Sequence, residues 1–398
     1  MAYDFTTVLD RSGRDLMAVN KMPVNGIEIE EGFSRIPMWV ADMSFPTAPS
    51  IIEAIKERLK MPNFGYITHE KPAKEAIKKW HRIQRGENDI TDEMIGFENG
   101  VLGGVATAVS AFTTPGDRIL LHTPFYLGFE HTVSGMGRKL VFSRLNRDKE
   151  GIWRMDFDEM DVLLKQHKIH MAILCAPHNP CGRVWERWEM EKAMQVFKEN
   201  DCLVISDEIW ADLVMPGHCH VSPQLISEDA KERTIALSAP SKTFSIAGLI
   251  GSYSIVYNKY LRDRMNKQSC ICQYNKPNVL SLYALLGAYS EEGAVWLSEV
   301  VEVLNDNLTY AHDFIHENFP GCTCMKPEGT YMLYIDCSDY CKKAKIGIGE
   351  LIAAGIKKGV VWQDGADFGL QNTIRLNVAL PKSVLIEAMD RLKKHVFI

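Results

Sequence analysis

No hydrophobic run in this sequence is long enough to cross a membrane. The longest weakly polar stretch, from Ser245 to Tyr257, falls short of the roughly 20 residues that a spanning helix needs. A basic stripe is missing as well. Lys and Arg number 45 against 51 Asp and Glu, for a net charge of −6, and no segment gathers the cations that a nucleic-acid footprint requires. The opening Met-Ala-Tyr-Asp-Phe has neither the basic nor the apolar region of a secretory signal. Ten cysteines are spread over 398 residues, but none has the paired spacing of a zinc site, and a chain of this length needs no disulfide staples. His218-x-His220, beside Pro216-Gly217, reads as a solvated loop rather than a ligand pair. Both the dinucleotide fingerprint and the P-loop are absent. The expectation is a cytoplasmic protein with reduced thiols, no metal, and neither nucleic acid nor membrane as a partner.

What is present is core material: 46% of residues are hydrophobic and 24% charged, an ordinary globular balance. Helical patterns over 51–59 and 104–112 accompany short apolar runs at 118–122, 139–143, 170–175, 203–206, 234–237 and 251–257, which read as buried strands. Strands separated by helices imply right-handed crossovers and a mostly parallel sheet flanked by helices. A long amphipathic helix over 299–318 follows, then strands at 331–336 and 373–377 and a last helix over 383–396. The expected fold class is α/β, with a large domain over 49–288 and a smaller α+β domain made from 1–48 and 289–398.

Four segments fall at the ends of expected strands, where open α/β sheets place their ligands. In Ser238-Ala239-Pro240-Ser241-Lys242-Thr243-Phe244 the lysine is either a plain loop residue or, enclosed by small and apolar neighbours, an amine with a lowered pKa that can attack a carbonyl. Val204-Ile205-Ser206-Asp207-Glu208-Ile209-Trp210 carries an apolar strand into two carboxylates, and Asp207 is nearer the tip. A carboxylate there needs a cationic partner, which a protonated pyridine nitrogen would supply. Ala176-Pro177-His178-Asn179-Pro180-Cys181-Gly182 is a turn that can offer the Asn179 amide. Glu98-Asn99-Gly100-Val101-Leu102 runs into a helix whose first N–H groups suit a phosphate.

Together with Trp39-Val40-Ala41-Asp42-Met43, Phe64-Gly65-Tyr66, His122-Thr123-Pro124-Phe125-Tyr126 and Thr373-Ile374-Arg375-Leu376-Asn377, the set resembles fold-type I pyridoxal-phosphate enzymes of the class I/II aminotransferase superfamily. Within that superfamily it is most similar to the MalY/PatB-type cystathionine β-lyases, or cysteine C–S lyases. The resemblance implies pyridoxal 5'-phosphate (PLP) as cofactor, held covalently by Lys242, the catalytic lysine. It implies that Asp207 pairs with the ring nitrogen, Asn179 and Trp210 face the ring phenolate oxygen, and Tyr126 stacks on the ring. The phosphate would sit on the N–H groups of Val101 and Leu102 and on the Ser241 hydroxyl. Tyr66 would reach the phosphate of a neighbouring subunit, so a homodimer with shared sites is expected. For a small amino-acid substrate the implied contacts are Arg375, which would clamp the α-carboxylate, with Tyr66, Trp39 and Asn179. The implied reaction is β-cleavage of cystathionine, cysteine or S-substituted cysteines to thiol, pyruvate and ammonia, with amino-group transfer to a 2-keto acid as the alternative. Three positions depart from the pattern: Trp210 replaces a usual His or Tyr, Cys181 a usual Thr, and Ile250 a phosphate-binding Arg. Trp210 and Cys181 are both expected close to the ring.

Overall fold

Strands that are apolar on both sides need helices over both sides of their sheet. The computed structural model, which describes residues 2–68 and 70–398, has this arrangement. Side chains alternate across the central strands, as a period of two dictates. Ile119, Leu121, Ile173 and Ile235 pack on one face with Val105, Val109 and Phe129. Leu120, Leu174 and Val204 pack on the other with Met160, Met190 and Phe197.

The sheet has eight strands in the spatial order Ile95–Glu98, Ser252–Ile255, Thr234–Ser238, Leu203–Asp207, Met171–Cys175, Arg118–Thr123, Lys139–Arg147, Trp153–Met155. The run from Thr234–Ser238 to Lys139–Arg147 is parallel throughout. Ser252–Ile255 is antiparallel to both of its neighbours, and Trp153–Met155 is antiparallel to Lys139–Arg147. The sequence reading missed Ile95–Glu98 and Trp153–Met155, because four and three residues are too few to display a period.

A second, three-stranded antiparallel sheet sets Thr373–Asn377 between Met332–Asp336 and Gln363–Asp364. Near the N-terminus, Ile36–Pro37 pairs with Val360–Val361, which brings the two ends of the chain together. The long helix begins at Glu291 rather than 299, because the Ser290 hydroxyl caps it by accepting from the Gly293 N–H. Its Leu304 and Leu308 join Leu385, Met389 and Leu392 of the final helix in one core that also takes in Phe45 and Ile51. Among the described residues no helix is long and apolar enough to cross a membrane.

Candidate active site

The C-terminal ends of the parallel strands open onto a cavity of about 210 Å³. Asp207 ends one strand and Cys175, its register partner, ends the next. The alternation of side chains then separates two adjacent acids. Asp207 lines the cavity, whereas Glu208 turns behind the sheet and accepts from Ser206, Ser222 and His220. Lys242 and Ser241 enter from the turn after Thr234–Ser238, Asn179 from the loop after Met171–Cys175, and Tyr126 from the turn after Arg118–Thr123. Val101 and Leu102 open the helix Val101–Phe112 against the same space. Gly100 precedes them at φ 75°, a left-handed conformation that favours glycine and turns the first helical N–H groups toward the cavity.

Lys242 Nζ donates to the Ala41 carbonyl at 3.0 Å and lies 5.9 Å from the centre of the Trp210 ring. Burial and then the Arg375 charge pull its pKa down to about 8, so the neutral amine is accessible near physiological pH. Asp207 accepts the Ile209 N–H at 3.0 Å, yet burial pushes its carboxyl up to about 7. The Arg375 guanidinium is buried over the Phe368 ring, 4.2 Å from its centre. Its partners are neutral oxygens: Asn179 Oδ1 at 3.2 Å, the Trp39 carbonyl at 3.0 Å and Gln363 Oε1 at 2.7 Å. Its Nε is buried with no hydrogen-bond partner among the described residues.

These features fit pyridoxal phosphate and an amino-acid substrate. A buried carboxylate with no ion pair among the described residues suits a protonated ring nitrogen. A buried guanidinium held only by neutral groups suits a carboxylate. A helix start with a free hydroxyl alongside suits a phosphate, and an amine of lowered pKa suits an aldehyde carbon. Fold and site together define a fold-type I pyridoxal-phosphate enzyme.

Comparison with known proteins agrees. Residues 36–392 match the family "Aminotransferase class I and II". The chain is 34% identical to cystathionine beta-lyase PatB of Bacillus subtilis over 90% of this chain and 92% of that protein. Among solved structures, PLP-containing cystalysin from Treponema denticola superposes with a TM-score of 0.91 at 32% identity, covering 99% of this chain and 98% of the other. The PLP-bound C-S lyase of Staphylococcus hominis gives 0.89 at 30% identity, covering 100% and 99%. The chain belongs to the class I and II aminotransferase family, and its cofactor is pyridoxal 5'-phosphate.

Tyr66, expected to reach a neighbouring subunit, lies away from the cavity of its own chain and is fully exposed, beside Phe64 and Lys276. Two other positions differ from expectation. Cys181 does not line the cavity but is buried in the core under the loop, and the thiol that does line it is Cys175. Trp39 turns its indole away to donate to the Ala18 carbonyl at 3.2 Å, so it meets Arg375 through its backbone. Trp210 does line the cavity, packed edge-on against Tyr331 at 4.9 Å, and Ile250 stands on the rim.

Sequence reasoning also missed a buried network behind the site. Asp212 receives the indole N–H of Trp80 at 3.2 Å, Arg85 Nε at 3.1 Å and the Thr243 hydroxyl at 3.2 Å. Arg85 also donates to Ser238 Oγ at 3.1 Å and lies 3.7 Å from Glu208. The network thus grips the residues that follow Lys242 and Asp207. His220, expected in a solvated loop, is part of it through Glu208 at 3.2 Å. Spacing could not reveal this, because its members come from residues 80 to 243.

Proposed function

We propose that this chain is a PLP-dependent carbon–sulfur β-lyase. It takes L-cystathionine, L-cysteine or another S-substituted cysteine with one water to a thiol, pyruvate and ammonia. The observation that carries the reading is the path of Trp39-Val40-Ala41-Asp42-Met43, the run that distinguishes the C–S lyase branch. Its Trp39 carbonyl holds Arg375 and its Ala41 carbonyl holds Lys242. Asn377 donates to the carbonyls of Val40 and Asp42, both at 2.7 Å, and Ser245 donates to the Asp42 carboxylate at 2.8 Å. One short segment therefore ties the amine to the guanidinium.

In this reading Lys242 would hold the cofactor through Nζ, and Asp207 would accept a hydrogen bond from the ring nitrogen and keep its proton in place. Asn179 and Trp210 would serve the ring oxygen and Tyr126 the ring face. Val101, Leu102 and Ser241 would hold the phosphate. When bound, the cofactor supplies an electron sink for the substrate Cα. Arg375 clamps the α-carboxylate and so fixes which Cα bond faces Lys242. Lys242, its pKa lowered to about 8 by burial and the Arg375 charge, would take the Cα proton as general base. The electron pair left at Cα would then expel thiolate from Cβ, the sulfur departing with the C–S bonding pair.

Ile250 brings no charge to the phosphate, and Tyr66 points away from its own cavity. A homodimer in which each Tyr66 reaches its partner's phosphate accounts for both. Residues 49–288 form the cofactor domain in this reading, with 1–48 and 289–398 as the second. The ten free cysteines support a reducing, cytoplasmic setting.

The test is to incubate the purified protein with L-cystathionine and no keto acid. Pyruvate, ammonia and homocysteine should appear in equal amounts. Faster amino-group transfer with added keto acid, and no released thiol, would replace the lyase reading with the aminotransferase one.

A further inference from the structure

Far along the chain from the catalytic lysine, two histidines and a cysteine meet. His312 and His316 are one turn apart on the helix Glu291–Asn318, and their ring centres are 4.5 Å apart. Cys324 comes back beneath them after the turn at Phe319–Gly321. Its backbone is fixed by the neighbouring bridge, in which Thr323 and Asp336 exchange hydrogen bonds of 3.0 and 2.8 Å. One donor atom from each of His312, His316 and Cys324 lies within 4.8 Å of the other two. Tetrahedral bonds of about 2.0–2.1 Å to nitrogen and 2.3 Å to sulfur bring ligand atoms to roughly 3.3–3.6 Å of one another. Small side-chain rotations cover the difference.

Both imidazoles already have the orienting partners that metal-bound histidines use. His312 Nδ1 is 2.8 Å from the Asp313 carboxylate and His316 Nε2 is 3.1 Å from the Cys324 carbonyl. An oxygen acceptor at one ring nitrogen draws the proton there and leaves a lone pair on the other. The three residues stand in the wall of a cleft of about 430 Å³, together with His218 and Glu328, so an ion can enter and a water can complete the coordination.

We propose that His312, His316 and Cys324 form a binding site for a thiophilic divalent cation of the zinc class. Binding replaces the Cys324 S–H bond by a metal–thiolate bond and releases one proton to solvent, with no change of oxidation state. The ion would pin the long helix to the segment that continues through Glu328 to Tyr331. In that segment Glu328 binds the buried Arg183, and Tyr331 backs Trp210 in the cofactor cavity.

Co²⁺ titration of the chelator-treated holoenzyme tests the site. Tetrahedral ligand-field bands should saturate at one equivalent, with release of about one proton, and Zn²⁺ should bleach them. Cys324→Ser and His312→Ala should each weaken Co²⁺ binding at least about tenfold, and Cys324→Ser should abolish the thiolate charge-transfer band. An unchanged cofactor absorbance in each variant shows that it has folded. Cys270→Ser/Cys272→Ser, which removes the exposed thiols of another helix, should bind like wild type. Absent bands at millimolar Co²⁺, bands that persist in Cys324→Ser, or bands lost only in Cys270→Ser/Cys272→Ser overturn the assignment.

Discussion

Arg375 donates to the backbone carbonyl of Trp39 at 3.0 Å, across 336 residues of sequence. The guanidinium is thereby fixed by groups that carry no charge, and its own charge is left for a ligand. Burial holds its pKa at about 10, low for an arginine but still protonated at neutral pH. Arg375→Ala should lower kcat/KM by the equivalent of roughly 2–5 kcal/mol, as for truncation of one partner in a buried charge pair. Arg375→Lys should recover little, since an ammonium lacks the planar fork. Cofactor absorbance should be retained in both, and steady-state kinetics beside the spectrum separates the two effects.

Asp207 gives a pH signature in the cofactor-free chain. Its folded pKa of about 7 lies above the ordinary carboxyl range because of burial. Above that value the folded state carries the full cost of an ionised buried acid. As pH falls from about 7 toward 4 the folded state gains a proton that the unfolded state does not, and stability recovers. Cofactor-free Asp207→Asn should therefore exceed cofactor-free wild type in stability at about pH 8, by at most roughly 4 kcal/mol. The gap should close as pH approaches about 4. Thermal unfolding across that range measures it, and a gap independent of pH would falsify the role given to burial.

The side chains of Arg85 and Asp212 are both buried, 3.0 Å apart. Arg85→Met should leave Asp212 without its cation and cost about 3–5 kcal/mol of stability, as for other broken buried pairs. Because Asp212 also holds Thr243, next to Lys242, the variant should bind cofactor less tightly even below its melting temperature. Calorimetry and cofactor titration at low temperature distinguish lost stability from a displaced lysine.

Gly128 tests the position of Tyr126. A Cβ there would lie 2.5 Å from Tyr126 Cε1 and 2.9 Å from Leu102 Cδ1, closer than atoms can approach, so the ring must move. Gly128→Ala should weaken cofactor binding while its overpacking cost stays within about 1–3 kcal/mol. Equal cofactor affinity in Gly128→Ala and wild type would remove Tyr126 from the ring face.

Much of the sheet was legible in the sequence, because its central strands are apolar on both faces and their ends carry unusual residues. Asp207 ends such a strand, and Asn179 and Lys242 follow one within a few residues, so a local pattern pointed to them. Arg375 was legible for a related reason: a charged residue between Ile374 and Leu376 on a buried strand calls for a ligand or partner. The short strands Ile95–Glu98 and Trp153–Met155 were not, since they owe their conformation to pairing with a neighbour.

The sequence by itself determined the α/β class, through apolar runs at strand spacing, and the cofactor, through the resemblance of its strand-end motifs to a known family, because such motifs are local in the chain. Only the tertiary structure decided what holds the second acid, Glu208, behind the sheet, that Cys175 rather than Cys181 lines the cavity, and that the Trp39 indole turns away from it. It alone brings His312, His316 and Cys324 together, and it alone closes Arg85 on Asp212. The side-chain direction of a residue in a loop depends on what packs against it from distant parts of the chain, and spacing along the chain carries no record of that.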